Sequence, residues 1–231
     1  MESSAGELTD DQLANLYQVP TATHTFVRAN FVSSLDGSIA IDGHSAGLSN
    51  AADMRVFRLL RDACDAVLVG AGTFRVEDYR PLRLNPQRRE KRIGVGKTEY
   101  PTLVVVSRSG ALDPTAQAFT QAPVRPIVIT NADADQLKGV ADVIATEDLR
   151  DALTQLADRG LNHILCEGGP HLLRSLIDVD AVDELCLTLS AQLVGASATL
   201  TGPASLPPRH AKLRHVLRDA DTLLLRYALD R

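Results

Sequence analysis

The chain has 231 residues, of which 45% are hydrophobic, and a formal net charge of −5 at pH 7. This length and apolar content suit one well-packed α/β domain, and the acidic balance argues against a general nucleic-acid-binding surface. The three cysteines lie in apolar runs without a C-x-x-C pair, which predicts reduced core thiols in a cytoplasmic protein. No apolar run approaches the length of a membrane span and no export signal is evident, so no membrane partner is predicted.

The first 24 residues predict an N-terminal extension, and residues 25–231 predict a single domain. A short helix is expected within the extension from Leu8 to Tyr17, ending before Pro20. Strands are then expected at 25–34, 65–70, 102–107, 126–130, 141–145, 163–166 and 182–194, with 38–42 a candidate for a further short strand. Helices are expected at 50–63, at 147–160 and from Pro170 onward. The chain closes with an antiparallel hairpin, 212–219 and 222–230.

Strands that alternate with helices predict a largely parallel sheet covered on both faces, and the closing hairpin predicts a mixed edge. One segment, 80–97, holds seven basic residues and a single acid. It is expected to be a solvated or mobile loop, and the alternative is a loop that borders an anionic ligand.

Two predicted strands end in turns that suit a nucleotide. Gly70 and Gly72 let a ligand approach the backbone, and Thr73 adds a hydroxyl beside the next helix. Ser107 and Arg108 follow the next strand, and a fixed cation beside hydroxyl groups suits the 2′-phosphate of NADP better than the ribose diol of NAD.

A third strand ends in "CEGGPHLL", from Cys166 to Leu173. Gly168 and Gly169 precede Pro170, which suits the first turn of a helix, so a pyrophosphate would find free amides there. His171 follows Pro170 and is expected to touch the cofactor. Because ligands bind at the carboxyl ends of parallel strands, the three turns together predict one nucleotide-binding cleft.

The first strand of the domain ends in "SSLDG", which contains Ser34 and Asp36. Aspartate and glycine are ordinary turn formers. This carboxylate is nevertheless predicted to lie at the cleft, where it would bind an aminopyrimidine N–H or assist proton transfer. None of the six histidines or three cysteines has ligand spacing, so no metal is predicted.

The segments "SLDG", "LLRDACDAVLVGAGT", "EGGP" and "VDELCLTLSAQLVG" together resemble the RibD C-terminal family, the reductase domain of riboflavin biosynthesis. The resemblance runs from about Phe26 to the C-terminus. It implies a dihydrofolate-reductase-like fold with three layers, α-β-α. It also implies an oxidoreductase that uses NADPH to reduce the ribosylamino group of a phosphorylated pyrimidine to a ribitylamino chain. The zinc-deaminase signatures of the family's bifunctional members are absent, so only the reductase is expected.

The resemblance also assigns site residues. Those at cofactor-contacting positions are Thr73, Glu77, Ser107 and the run 169–175, which includes Pro170, His171 and Leu172. Those at substrate-contacting positions are Ser45, Arg61 and Glu167, with Ser34 and Asp36 in the substrate turn. Asp36 is the predicted catalytic residue. Arg61 is equally well explained as a cation near a helix C-terminus, whereas a carboxylate at Glu167 is hard to explain without a ligand.

Two segments depart from the family pattern. Ala46 and Gly47 stand where the family tends to place an aromatic residue, and "EDYRP" replaces an acidic pair followed by proline. The resemblance implies 5-amino-6-(5-phosphoribosylamino)uracil as the substrate. The two departures make dihydrofolate the alternative substrate. A non-catalytic NADP-binding protein is a second alternative. The apolar strand "ELCLTLSAQLV" and the closing hairpin predict a homodimer.

Overall fold

A ten-stranded sheet runs through the computed structural model, which describes residues 3–20, 24–195 and 198–230. In chain order the strands are β1 (Ser3–Ser4), β2 (Phe26–Ser33), β3 (Ala66–Gly70), β4 (Thr102–Val106), β5 (Ile127–Thr130), β6 (Asp142–Ala145), β7 (His163–Cys166), β8 (Glu184–Leu189), β9 (Ala211–Asp219) and β10 (Thr222–Leu229). Their order across the sheet is β1-β9-β10-β8-β2-β7-β3-β4-β5-β6.

From β8 to β6, each strand is parallel to the next strand in this order. Strand β10 is antiparallel to both β8 and β9, so the closing hairpin forms the mixed end of the sheet. The predicted fold class, a mostly parallel sheet with an antiparallel C-terminal hairpin, is therefore confirmed.

Helices cover both faces of this sheet. They are α1 (Asp10–Leu16), α2 (Ala51–Ala63), α3 (Ala71–Val76), α4 (Pro86–Gly94), α5 (Gln117–Thr120), α6 (Leu149–Ala157) and α7 (Pro170–Asp178). Alternate residues of β3 enter two different apolar clusters, Val67 and Val69 with α2 and α3, and Ala66 and Leu68 with α6 and α7. This alternation is why the central strands read as continuous apolar runs. None of the helices in the described ranges combines the length and apolarity that crossing a bilayer requires.

The basic segment 80–97 is not the predicted loop, because it contains α4. Asn85 accepts a hydrogen bond from the Arg88 N–H at 2.9 Å and so caps a helix that begins at Pro86. Arg92 is 1% exposed, and its guanidinium donates to three carbonyl groups at the end of α2, including that of Cys64 at 2.7 Å. This buried arginine closes the C-terminus of α2, which a count of charges does not reveal.

Three further predicted boundaries were wrong. Residues 38–42 form no strand, only an isolated bridge between Ile41 and His44. The strand expected to reach residue 194 ends at Leu189. The helix expected over 147–160 spans Leu149–Ala157, because the Asp148 side chain caps it.

The N-terminal segment is held against the sheet end by a buried ionic network. Glu184 of β8 pairs with Arg28 at 2.6 Å and with Arg226 at 2.5 Å, and all three side chains are largely buried. Arg28 also donates to the carbonyl oxygen of Tyr17 at 2.8 Å, and Arg226 donates to that of Leu16. The two arginines therefore bind the carbonyl groups that end α1.

His215 of β9 makes the stability of this region sensitive to acid. Its ring lies edge-on to Tyr17 with centroids 4.7 Å apart, and its buried Nε2 has no hydrogen-bond partner within residues 3–20, 24–195 and 198–230. Burial, with a smaller contribution from Arg226, lowers the pKa of His215 from 6.5 to about 4, while Glu184 opposes the shift. Between those pH values the unfolded chain binds a proton that the native state does not, so stability falls as the pH falls.

We expect the free energy of unfolding to drop between about pH 7 and about pH 5, with His215 contributing on the order of 2 kcal/mol. Urea denaturation of the wild type and His215→Leu at both pH values measures this contribution. The variant should lose less stability on acidification. Equal losses in the two proteins would show that His215 does not carry the effect.

Candidate active site

The carboxyl ends of β3, β4 and β7 open onto one cleft of about 1330 Å³. The cleft brings together most of the predicted site residues: Ser45, Arg61, Gly70, Gly72, Thr73, Glu77, Ser107, Arg108, Glu167, Gly169, Pro170, His171 and Leu172. Most of these residues follow β3, β4 or β7, and the shared carboxyl edge of these parallel strands explains why they meet. Arg61 comes instead from α2, and Ser45 from the loop before α2.

The double glycine after β7 is required by packing. The Gly70 N–H donates to the Gly168 carbonyl oxygen at 2.7 Å, which joins the β3 and β7 turns. Gly168 has a φ of +96°, and a Cβ there would lie 3.1 Å from the Phe31 ring. A Cβ on Gly169 would lie 2.5 Å from the Thr73 Oγ1. Both positions therefore have a structural reason to be glycine, whatever ligand the cleft binds.

Two features on this side of the cleft fit a nucleotide. A Cβ on Gly72 would meet no atom within 4 Å, so the backbone there is open to a ligand. Helix α7 begins at Pro170, and no side chain in the described part of the protein caps its N-terminus, so its first-turn amides can bind an anion.

The turn after β4 supplies an unsatisfied hydroxyl and a cation. Ser107 is 2% exposed, and its Oγ has no hydrogen-bond partner among the residues that the structure describes. Arg108 is exposed on the cleft, and within the described part of the chain its guanidinium makes no hydrogen bond or ion pair. A buried polar atom without a partner is rare in proteins, so this turn fits a ligand that supplies the missing bond.

A buried ion pair forms another part of the cleft wall. Arg61 binds Glu167 through two bonds of 2.6 Å, from Nε to Oε1 and from Nη2 to Oε2. The Tyr79 hydroxyl donates to the same Oε2 at 2.5 Å. Phe57 lies below the guanidinium, 4.3 Å from ring centroid to Cζ. The Glu167 side chain is only 2% exposed, and Arg61 and Tyr79 supply the donors that a buried carboxylate requires.

The ionisation states of this group follow from its contacts. Burial disfavours the charged form of Arg61, but Glu167 outweighs it and raises the pKa of the guanidinium. Burial and the neighbouring Glu167 charge hold the pKa of Tyr79 well above its usual value of 10.0. Arg61 is therefore a cation, and Tyr79 is a neutral phenol, at physiological pH.

Glu77 holds a loop at the cleft rim. Its Oε1 accepts a hydrogen bond from the Ser45 N–H at 2.9 Å, and its Oε2 lies 3.6 Å from the His44 Nδ1. These contacts give Glu77 a structural task in addition to the cofactor contact that was predicted for it.

Ser34 and Asp36 lie outside the residues that line the cleft. The Ser34 hydroxyl donates to Asp36 Oδ1 and accepts from the Ser38 N–H at 2.8 Å. Asp36 Oδ2 accepts from the N–H groups of Val194 and Gly195, at 3.1 and 2.6 Å. The hydrogen bond from Ser34, followed by that from Gly195, lowers the pKa of Asp36. The carboxylate thus joins the "SLDG" turn to the segment after β8, and its part in the chemistry stays a prediction.

Tyr79 is the residue that sequence reasoning missed. Its signal was the departure at "EDYRP", where tyrosine stands in the family's proline position. Among the described residues, no group of three or more His, Cys, Asp or Glu side chains is arranged to hold a metal ion.

Comparisons with known proteins show which family the chain resembles. A model of the RibD C-terminal domain matches residues 25–225. The 2,5-diamino-6-ribosylamino-4(3H)-pyrimidinone 5′-phosphate reductase of Archaeoglobus fulgidus is 28% identical over 179 residues, which are 74% of this chain and 82% of the relative. The reductase of the same name from Methanothermobacter thermautotrophicus is 28% identical over 178 residues, which are 74% of this chain and 79% of the relative.

Solved structures show the same fold. A pyrimidine reductase-like protein from Corynebacterium diphtheriae has a TM-score of 0.84 at 26% identity, covering 97% of this chain and 100% of that one. Dihydrofolate reductase from Enterococcus faecalis has a TM-score of 0.51 at 13% identity, covering 90% and 98% of the two chains. The second comparison concerns the fold alone, and it confirms the predicted dihydrofolate-reductase-like architecture.

Proposed function

The chain belongs to the RibD C-terminal domain family, and from this premise we propose that it is an NADPH-dependent reductase of a phosphorylated ribosylaminopyrimidine in riboflavin biosynthesis. The observation that carries the proposal is the buried Glu167–Arg61 pair, which lies in the same cleft as the open turns after β3, β4 and β7. A site that only held a dinucleotide would have no need of a second polar cluster beside it.

The residues that would hold the cofactor lie along the strand ends. The first-turn amides of α7 would bind its pyrophosphate, and Gly70, Gly72 and Thr73 would border it. Ser107 and Arg108 would bind the 2′-phosphate, which gives the buried Ser107 hydroxyl its missing partner. The bound cofactor supplies a hydride. The protein's own contribution is to orient cofactor and substrate and to exclude water.

The substrate would occupy the side of the cleft with Arg61 and Glu167, next to the loop of Ser45. Ser34 and Asp36 would act indirectly, because their hydrogen bonds fix the segment after β8 rather than point to the cleft. We propose no metal for this reaction, since hydride transfer to an electrophilic carbon needs none. We also propose residues 1–24 as an extension of a reductase domain formed by 25–231.

The proposal is tested by following NADPH absorbance with three substrates side by side. These are 2,5-diamino-6-ribosylamino-4(3H)-pyrimidinone 5′-phosphate, its deaminated uracil counterpart and dihydrofolate. Turnover of either phosphorylated pyrimidine, without turnover of dihydrofolate, is the expected result. Turnover of dihydrofolate alone would replace the proposed substrate, and tight NADPH binding without any turnover would favour a non-catalytic binding protein.

We further propose a cytoplasmic location and a homodimer. All three cysteines are buried and unpaired, which suits a reducing compartment. Two rows of half-buried or exposed apolar side chains cross β8, β10 and β9, namely Leu187–Leu225–Val216 and Leu185–Tyr227–Leu213. A second copy related by a twofold axis would cover these rows with its own.

Light scattering after size-exclusion chromatography should give twice the chain mass. Leu213, 47% exposed, is at the end of one row, so Leu213→Arg is expected to give monomers because it places a charge in the proposed interface. Ile93→Arg is the matched control, because Ile93 is 58% exposed on α4. A monomeric wild type, or dissociation of both variants alike, would contradict the proposed interface.

A further inference from the structure

Tyr79 occupies a fixed position in the cleft wall. It follows α3, and its ring stacks on Phe74 with centroids 6.1 Å apart and an interplanar angle of 27°. Its hydroxyl reaches Glu167 Oε2 at 2.5 Å, and both residues line the cleft. The packing and the hydrogen bond together leave the phenol one orientation.

The hydrogen bond to Glu167 decides what Tyr79 can offer a ligand. A phenol has one O–H group, and here that group donates its hydrogen bond to the carboxylate. Burial and the charge of Glu167 keep that proton in place at physiological pH. Toward any other group the Tyr79 oxygen can therefore only accept a hydrogen bond.

Arg61 provides hydrogen-bond donors next to the Tyr79 oxygen, which can only accept. Its Nε and Nη2 bind Glu167, and within the described part of the chain Nη1 has no hydrogen-bond partner. The Arg61 side chain is 24% exposed and lines the cleft. Since Arg61 and Tyr79 bind the same oxygen of Glu167, a donor and an acceptor stand next to each other.

We propose that Arg61 and Tyr79 bind the edge of the pyrimidine ring formed by N3–H and the C4 carbonyl group. In this proposal Tyr79 is a specificity-determining residue that accepts a hydrogen bond from the ring N–H. This inference rests on the proposed function and names the part of the substrate that the cluster recognises. A 4(3H)-pyrimidinone carries N3–H next to its C4 carbonyl group, so the carbonyl oxygen would accept from Arg61 while N3–H donates to Tyr79. A uracil ring presents the same pair of groups.

The arrangement also rejects a different class of ring. A 4-aminopyrimidine carries an acceptor at N3 and donors at C4, which is the reverse pattern. Its amino group would face the donors of Arg61, and its N3 would face an oxygen that has no proton to give. Leaving such groups unpaired in a buried site is costly, so discrimination against 4-aminopyrimidines follows.

The test combines one variant with one modified substrate. Tyr79→Phe keeps the ring that packs on Phe74 but removes the acceptor, and an N3-methyl analogue of the pyrimidinone substrate removes the donor. For the wild type we expect methylation to raise both KM and the equilibrium dissociation constant about 10-fold. For Tyr79→Phe we expect the unmodified substrate to bind about 10-fold more weakly, and methylation to add little. The dissociation constant of NADPH should be unchanged.

Each other outcome overturns a defined part of the proposal. Tyr79 would be only a structural support of Glu167 if methylation weakened binding by the same factor in the variant and the wild type. The proposed function itself would fail if the wild type neither bound nor reduced the unmodified pyrimidine. Tyr100→Phe is the matched control, because Tyr100 lies outside the cleft, where its ring contacts Arg89. It should behave like the wild type with both compounds.

Discussion

Glu167→Gln is expected to lower kcat/KM for the pyrimidine by about 100-fold or more, on the scale of removing one preorganised electrostatic group from an active site. The carboxylate binds Arg61 through two bonds of 2.6 Å and accepts a hydrogen bond from the Tyr79 hydroxyl. A carboxamide has the same shape but no charge, and its NH2 group would face donors on Arg61 or Tyr79. The groups proposed to hold the substrate would therefore lose their positions. Steady-state kinetics with saturating NADPH measures the effect.

Glu184→Gln is the matched control for this experiment. Glu184 is also buried and also pairs with arginines, at 2.6 Å to Arg28 and 2.5 Å to Arg226, but it lies outside the cleft. Removing one partner of a buried pair costs about 3–5 kcal/mol, so both variants should unfold at lower urea concentration. Only Glu167→Gln should lose turnover under conditions where both are folded. A similar loss of turnover in the two would indicate that destabilisation, not the site, is responsible.

Arg108→Ala is expected to raise the dissociation constant of NADPH by about 30-fold and to leave that of NADH within about 2-fold. Arg108 is an exposed guanidinium on the cleft, beside the buried hydroxyl of Ser107 that lacks a partner. Only NADPH has a 2′-phosphate, which is the dianion that this turn is proposed to bind. Fluorescence titration with the two cofactors gives the ratio directly.

Two further variants define the origin of this selectivity. Arg108→Lys should recover part of the NADPH affinity, because it keeps the charge but not the two parallel donors of a guanidinium. Arg159→Ala removes an exposed arginine that lies outside the cleft, and neither dissociation constant should change. An equal weakening of NADPH and NADH by Arg108→Ala would show that the turn after β4 does not bind the 2′-phosphate.

The strands whose residues are buried on both faces of the sheet were predicted well, because such burial produces a continuous apolar run in the sequence. Residues 102–107 and 126–130 are short apolar runs between turns, and β4 and β5 occupy nearly those positions. Residues 80–97 gave the opposite result. Their charge predicted a loop, yet a cap at Asn85 and a buried Arg92 produce α4, because the carbonyl groups at the end of α2 supply the arginine's partners.

The candidate site likewise has parts that the sequence predicted and parts that it did not. The turns after β3, β4 and β7 were predicted to meet because parallel strands share one carboxyl edge, and the structure brings them together. Asp36 was expected at that cleft, but the turn directs its carboxylate to the amides of Val194 and Gly195. The partner segment is nearly 160 residues away along the chain, so no local pattern could reveal it.

The sequence by itself therefore determined the α/β class, the family and the set of turns that form the cleft, because periodicity and turn chemistry are local properties. Only the tertiary structure decided which charged side chains bind each other and which remain available to a ligand in the cleft. It paired Arg61 with Glu167, added Tyr79 to that pair and left Arg108 available. The physical reason is that a hydrogen bond between distant residues depends on the packing of the whole sheet, which the spacing of residues along the chain does not encode.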